Sequence, residues 1–137
     1  MKQKWIILGL AGMLVVGWLV VKNLQVERKV EYKDVAAGEF LELLKREKGA
    51  FLVDVHTPEQ EHLAETDAVI PFNEVKNRLS EFPQDKATPI LVYCRSGSMS
   101  AMAAKDLVAA GYRKVYNLTG GMHSWTGAGM ALDWRDK

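Results

Sequence analysis

Hydrophobic positions fall into two kinds of run along this chain. The first is one block, WIILGLAGMLVVGWLVV at 5–21, seventeen residues without a charge between Lys4 and Lys22. At about 1.5 Å per residue, such a helix reaches roughly 25 Å, near the lower end of what crosses a hydrocarbon core of about 30 Å. Trp5 and the flanking lysines suit a membrane interface. A cleaved secretory signal is the competing reading, but the apolar region is long for one and no small-x-small site precedes Lys22. The pattern predicts an uncleaved single-pass anchor at 5–21, behind a basic leader at 1–4 and before a polar linker, KNLQVERKVE, at 22–31. Basic residues flank both ends of the block, so the charge rule nearly ties. Short basic leaders usually stay in the cytoplasm, which places the domain on the extracytoplasmic side.

The second kind of run is short and alternates with helical patterns. AAGEFLELLKRE at 36–47 gathers Phe40, Leu41, Leu43 and Leu44 on one side, away from Glu42, Lys45 and Arg46, as an amphipathic helix does. FLVDV (51–55), ILVY (90–93) and KVYNL (114–118) are bounded by Gly or Pro and read as buried strands. Between the last two, residues 100–111 place Ala103, Leu107 and Ala110 on one helical face, with Gly111 as the stop. Short, fully apolar strands alternating with helices imply a parallel sheet covered on both faces, the α/β class. Ligands of such sheets sit beyond the carboxyl ends of the strands. Cys94 follows ILVY directly and occupies that place.

Composition narrows the chemistry. The chain has 137 residues, 48% of them hydrophobic, enough for one globular domain. Of 18 basic residues, Lys2, Lys4 and Lys22 precede residue 27, leaving 15 basic against 17 acidic in 27–137, a net charge of −2. That balance gives no electrostatic case for nucleic acid. One cysteine excludes an internal disulfide framework, and His56, His62 and His123 lack metal-ligand spacing. Neither a metal nor a cofactor is expected.

The segment Cys94-Arg95-Ser96-Gly97-Ser98-Met99-Ser100 reads as a strand-to-helix turn. Gly97 permits a tight or left-handed backbone, and the small serines let amide N–H groups converge on one point. The free N–H groups of the following helix add positive potential there, which favours a thiolate or a bound anion. A lone buried cysteine is commonly an inert small hydrophobe. The Gly/Ser loop and the helix start shift the reading to a nucleophile. A cysteine phosphatase needs Arg six residues beyond the cysteine, where Ser100 stands. A Cys/His hydrolase using His123 lacks any sign of an oriented base and oxyanion hole.

CRSGSMS after a strand, an Ala-rich helix, NLTGGMHSW at 117–125 and DVHTPEQEH at 54–62 together resemble the single-domain rhodaneses over about 32–131, leaving a tail at 132–137. The resemblance implies a five-stranded parallel sheet flanked by helices. It also implies sulfane-sulfur transfer through a Cys94 persulfide, with Arg95, Ser96, Gly97, Ser98 and Met99 around the substrate. The partners so implied are a small-molecule or protein sulfur donor and acceptor, with the membrane held by the N-terminal helix. A noncatalytic binding module or persulfide carrier, docked on a membrane partner, is the second reading. Met99 departs from the loop Arg common in that family, His56 from its D-V-R segment, and the stretch between Pro58 and Val69 is short. These departures point to altered substrate contacts. Asp54 is expected to accept loop N–H groups, His62 to be a hydrogen-bonded packing residue, and Met99 and Met102 to pack or line the mouth. Gly120, Gly121 and Trp125 match the closing G-G-x-x-x-W element.

Overall fold

A computed structural model of the protein describes residues 29–135. The expected leader, the anchor at 5–21 and most of the linker lie outside the described residues. Among the described residues, no helix is long and apolar enough to cross a membrane.

Five parallel strands form one sheet: β1 (Lys33–Val35), β2 (Phe51–Asp54), β3 (Ala68–Val69), β4 (Ile90–Tyr93) and β5 (Val115–Leu118), in the order β1-β5-β4-β2-β3. The helices are α1 (Ala37–Arg46), α2 (Ser98–Ala109) and α3 (Gly121–Gly127), with two 3₁₀ segments at Phe72–Asn77 and Leu79–Glu81. All four β4 residues are fully buried, because this strand is central and covered on both faces. That is why it reads as an unbroken apolar run rather than an alternating one.

Alternation decides which helix each side chain meets. Ile90, Val92 and Cys94 face one way, onto Ala103, Ala104 and Leu107 of α2 and onto Phe82 and Tyr112. Leu91 and Tyr93 face the other way, onto Phe40 and Leu43 of α1 and Met122 and Trp125 of α3. Phe40 and Trp125 meet edge to face, with ring centroids 6.3 Å apart at 83°. Leaving α2, the chain makes a Schellman pair of bonds, Tyr112 N–H to the Leu107 carbonyl at 3.1 Å and Gly111 N–H to that of Val108 at 3.0 Å.

Three details differ from the sequence pattern. The helix expected at 100–111 starts two residues earlier, at Ser98, so Ser98 and Met99 belong to its first turn rather than to the loop. The strands expected at 51–55 and 114–118 span Phe51–Asp54 and Val115–Leu118. Leu132 and Trp134, in the stretch read as a tail, pack on the second core cluster. Ala64 N–H donates to the Leu132 carbonyl and the Trp134 indole N–H to the Ala64 carbonyl, both at 2.9 Å.

Candidate active site

Cys94 leaves the carboxyl end of β4 with its side chain 1% exposed. Gly97, the residue capping α2, has φ +95°, a left-handed backbone that turns its amide back toward the cysteine. Gly97 N–H donates to Cys94 Sγ at 3.0 Å and Ser100 N–H at 3.4 Å. The Ser100 hydroxyl lies 3.3 Å from the same sulfur and 3.2 Å from the Gly97 carbonyl. Its single proton can serve only one of them at a time. The convergence of donors expected from the sequence is therefore present, and an anionic sulfur gains charge-assisted hydrogen bonds there.

A second helix start fixes the other side of the loop. Met122 N–H donates to the Cys94 carbonyl at 2.9 Å and His123 N–H to that of Arg95 at 3.0 Å. These amides begin α3, where no carbonyl of the helix itself can accept them. Such approach requires Gly121: a Cβ there would strike the Cys94 carbonyl oxygen and come within 2.6 Å of the Arg95 carbonyl.

Arg95, Ser96 and Ser98 are exposed around the loop, with the Ser96 and Ser98 hydroxyls 3.4 Å apart. Met99 is half-buried against the cluster that contains Cys94, while Met102 is 54% exposed. Ser100, fully buried against the sulfur, is the side chain at the candidate site that the sequence reading does not single out. Its signal was its place three residues after Gly97, in the first turn of a helix. His123 is exposed and makes no side-chain hydrogen bond with Cys94.

Asp54 ends β2 beside Tyr93 and is fully buried. Its Oδ1 accepts the His56 N–H at 2.9 Å, and its Oδ2 accepts Gln60 Nε2 at 3.0 Å and lies 2.8 Å from His62 Nδ1. His62 Nε2 in turn lies 3.0 Å from Glu59 Oε1. One carboxylate thus organises residues 56–62, the role expected for it. His56 itself is half-buried, with Nδ1 buried and unpartnered.

Burial alone would lower the His62 pKa, but hydrogen bonds to Glu59 and Asp54, and their charges, outweigh it and raise the pKa above 6.5. A folded-state pKa above the unfolded one gives stability that is full below about pH 6.5 and lost as pH rises through the folded value. His62→Gln keeps a neutral donor but no charge. Its stability deficit in urea denaturation should be widest below about pH 6.5 and narrow as pH rises. A deficit constant with pH would show that the imidazolium charge contributes nothing.

The model of the rhodanese-like domain family matches residues 36–128. The chain belongs to the rhodanese-like family. A sulfurtransferase of Allochromatium vinosum is 34% identical over 83 residues, 59% of this chain and 76% of that protein. The thiosulfate sulfurtransferase GlpE of Coxiella burnetii is 33% identical over 99 residues, 69% of this chain and 87% of that protein. A rhodanese-like domain protein from Staphylococcus aureus has a similar structure, with TM-score 0.59 and 28% identity over 68% of this chain and 90% of that one. The rhodanese-like fold accounts for the five-stranded parallel sheet and for the position of the cysteine loop at its carboxyl edge.

Proposed function

We propose that this protein is a sulfurtransferase that carries sulfane sulfur on Cys94. The observation that carries the reading is the set of three donors, Gly97 N–H, Ser100 N–H and the Ser100 hydroxyl, gathered on one sulfur. The Cys94 thiolate attacks the sulfane sulfur of a donor, its electron pair forms the new S–S bond, and the donor's own bond to that sulfur breaks. With thiosulfate, sulfite leaves and Cys94–S–S⁻ remains. An acceptor thiol then takes the outer sulfur and restores the thiolate. The sulfurtransferase names of the Allochromatium and Coxiella relatives support this reading. Intact-protein mass after incubation with a sulfane donor should rise by one sulfur atom, removable by a thiol. No adduct with any donor would reject the proposal.

Ser100→Ala removes one of three donors and keeps both amides. A hydrogen bond to a charged group contributes about 1.5–3 kcal/mol, so single-turnover sulfur uptake should slow by roughly tenfold to hundredfold. An unchanged rate in the folded variant would assign the hydroxyl to the Gly97 carbonyl alone.

We further propose that residues 5–21 anchor the domain in a membrane, with the domain on the extracytoplasmic side. The support is the uncharged run and the short basic leader. The full chain should stay with membranes through carbonate extraction, and release into the supernatant would reject the anchor. Orientation needs a reporter other than Cys94, which is buried. In the Cys94→Ser background, Glu39→Cys, at an exposed position of α1, should react with a membrane-impermeant maleimide in intact cells.

A further inference from the structure

The edge of the sheet opposite Cys94 carries unbalanced positive charge. Lys33 opens β1, and Arg113 and Lys114 lead into β5, so the parallel pairing of these strands sets all three at the amino edge. There they line one cavity of about 200 Å³ together with Glu31. All three are exposed, and among the described residues none of them forms an ion pair. Lys86 joins them: its carbonyl accepts the Arg113 N–H at 3.0 Å, and its ammonium lies 3.7 Å from the Tyr112 ring centroid. The neighbouring acids already have partners. Glu31 is held by Lys29 at 3.6 Å, Asp34 accepts the Asn117 amide at 2.7 Å, and Asp85 accepts the Ala87 N–H at 2.9 Å. Set against Lys29, Lys33, Lys86, Arg113 and Lys114, these acids leave the edge net positive, in a domain whose overall charge is −2.

The chain enters the domain from this same edge. Residues 29–32 run directly into β1, and residues 22–28 can span at most about 25 Å between the uncharged run at 5–21 and Lys29. With that run in a bilayer, the basic edge is the part of the domain held within reach of lipid headgroups. We propose that the amino edge, through Lys33, Arg113 and Lys114, docks on anionic phospholipid headgroups and turns the Cys94 loop away from the membrane, toward aqueous sulfur donors and acceptors. The inference rests on the anchor reading and adds the domain's orientation to it. Each cation near an anionic surface favours the docked state by about fivefold, so three together bias the orientation by roughly a hundredfold. Nucleic acid shares the phosphodiester chemistry, but the tether presents lipid at a far higher effective concentration.

The test reconstitutes the full chain into phosphatidylcholine vesicles, with or without about one-third phosphatidylglycerol, each containing a lipid with a nitroxide quencher on its headgroup. In the Cys94→Ser background, a fluorophore is placed on Gln84→Cys, exposed two residues before Lys86, or on Thr119→Cys, exposed just beyond β5 at the carboxyl edge. With phosphatidylglycerol, quenching at position 84 should exceed that at 119 by at least about threefold. The excess should fall toward equality in phosphatidylcholine alone, in high salt, and in the triple variant Lys33→Gln/Arg113→Gln/Lys114→Gln. The lipid and salt comparisons need no substitution in the patch, so they decide the matter even if that variant unfolds. Equal quenching at the two positions with phosphatidylglycerol, or an excess that persists undiminished in neutral vesicles and high salt, would overturn lipid docking while leaving the anchor intact. Binding of a single-stranded oligonucleotide by the wild type and not by the triple variant would then assign the patch to nucleic acid. Flotation reports the anchor separately. A full chain that floats with neither kind of vesicle would overturn both readings, and one that floats only with phosphatidylglycerol would overturn the anchor and keep the basic surface.

Discussion

Cys94→Ser will accept no sulfur and turn over no donor, while melting close to the wild-type temperature. Chemistry is lost because a hydroxyl cannot become a persulfide under these conditions, and the chain holds no second cysteine to take over. Its fold survives because Ser is nearly isosteric and the site is already supplied with donors. Gly97 N–H, 3.0 Å from Sγ, can donate to the serine oxygen, so the polar atom buried at 1% exposure is not left unpaired. The stability change should stay within about 1 kcal/mol, or roughly 4–8 °C in melting temperature for a domain of this size. Intact mass, steady-state turnover and a thermal melt together check the result. Wild-type turnover in the serine variant would eliminate Cys94 as the carrier.

The contrast between parts of the site follows from where each piece of information resides. Cys94, Gly97 and the start of a helix are contiguous, and each obeys a local rule, so a loop aimed at one sulfur can be read from residues 94–100. Ser100 shows what such reading misses. Its donor role depends on Gly97 holding φ +95°, which starts α2 at Ser98 and brings position 100 round over the sulfur. Met99 moves in the same step from loop residue to half-buried first-turn residue against the core. The carbonyl grip by Met122 and His123 is made by backbone, so no side chain announces it.

Similar reasons govern the fold. The strands β2, β4 and β5 and the helices α1 and α2 are legible because burial on one or two faces imposes a period on four or more residues. The edge strands carry no such period: β1 has three residues with only Val35 buried, and β3 has two, neither of them buried. They pair through backbone, in register with Tyr116–Leu118 and with Val53–Asp54 respectively. The five-strand count therefore follows from the family resemblance and not from the hydrophobic pattern. Leu132 and Trp134 likewise look like isolated apolar residues in a polar tail until Ala64 supplies their backbone partners.

Gly121→Ala should be the most damaging single methyl group that can be added to this domain. Gly121 has φ +55°, where an L-residue is disfavoured by about 1–2 kcal/mol. Conformation is the smaller part of the cost. The new Cβ would meet the Cys94 carbonyl oxygen and lie 2.6 Å from the Arg95 carbonyl carbon and oxygen, all backbone atoms without rotamers to yield. Relief requires α3 and the loop to separate, which breaks the Met122 and His123 amide bonds at 2.9 and 3.0 Å, each contributing about 1 kcal/mol net. Together these losses come to roughly 3–4 kcal/mol, lowering the melting temperature by about 12 °C or more. Activity should fall further than stability alone explains, because the carbonyl that moves belongs to Cys94, the proposed sulfur carrier. Gly38→Ala is the matching control: it adds the same methyl group within α1, where nothing lies within 4 Å, and should leave the melt unchanged or slightly raised. If Gly121→Ala melted like Gly38→Ala, the contact between α3 and the loop would not be what holds the cysteine in place.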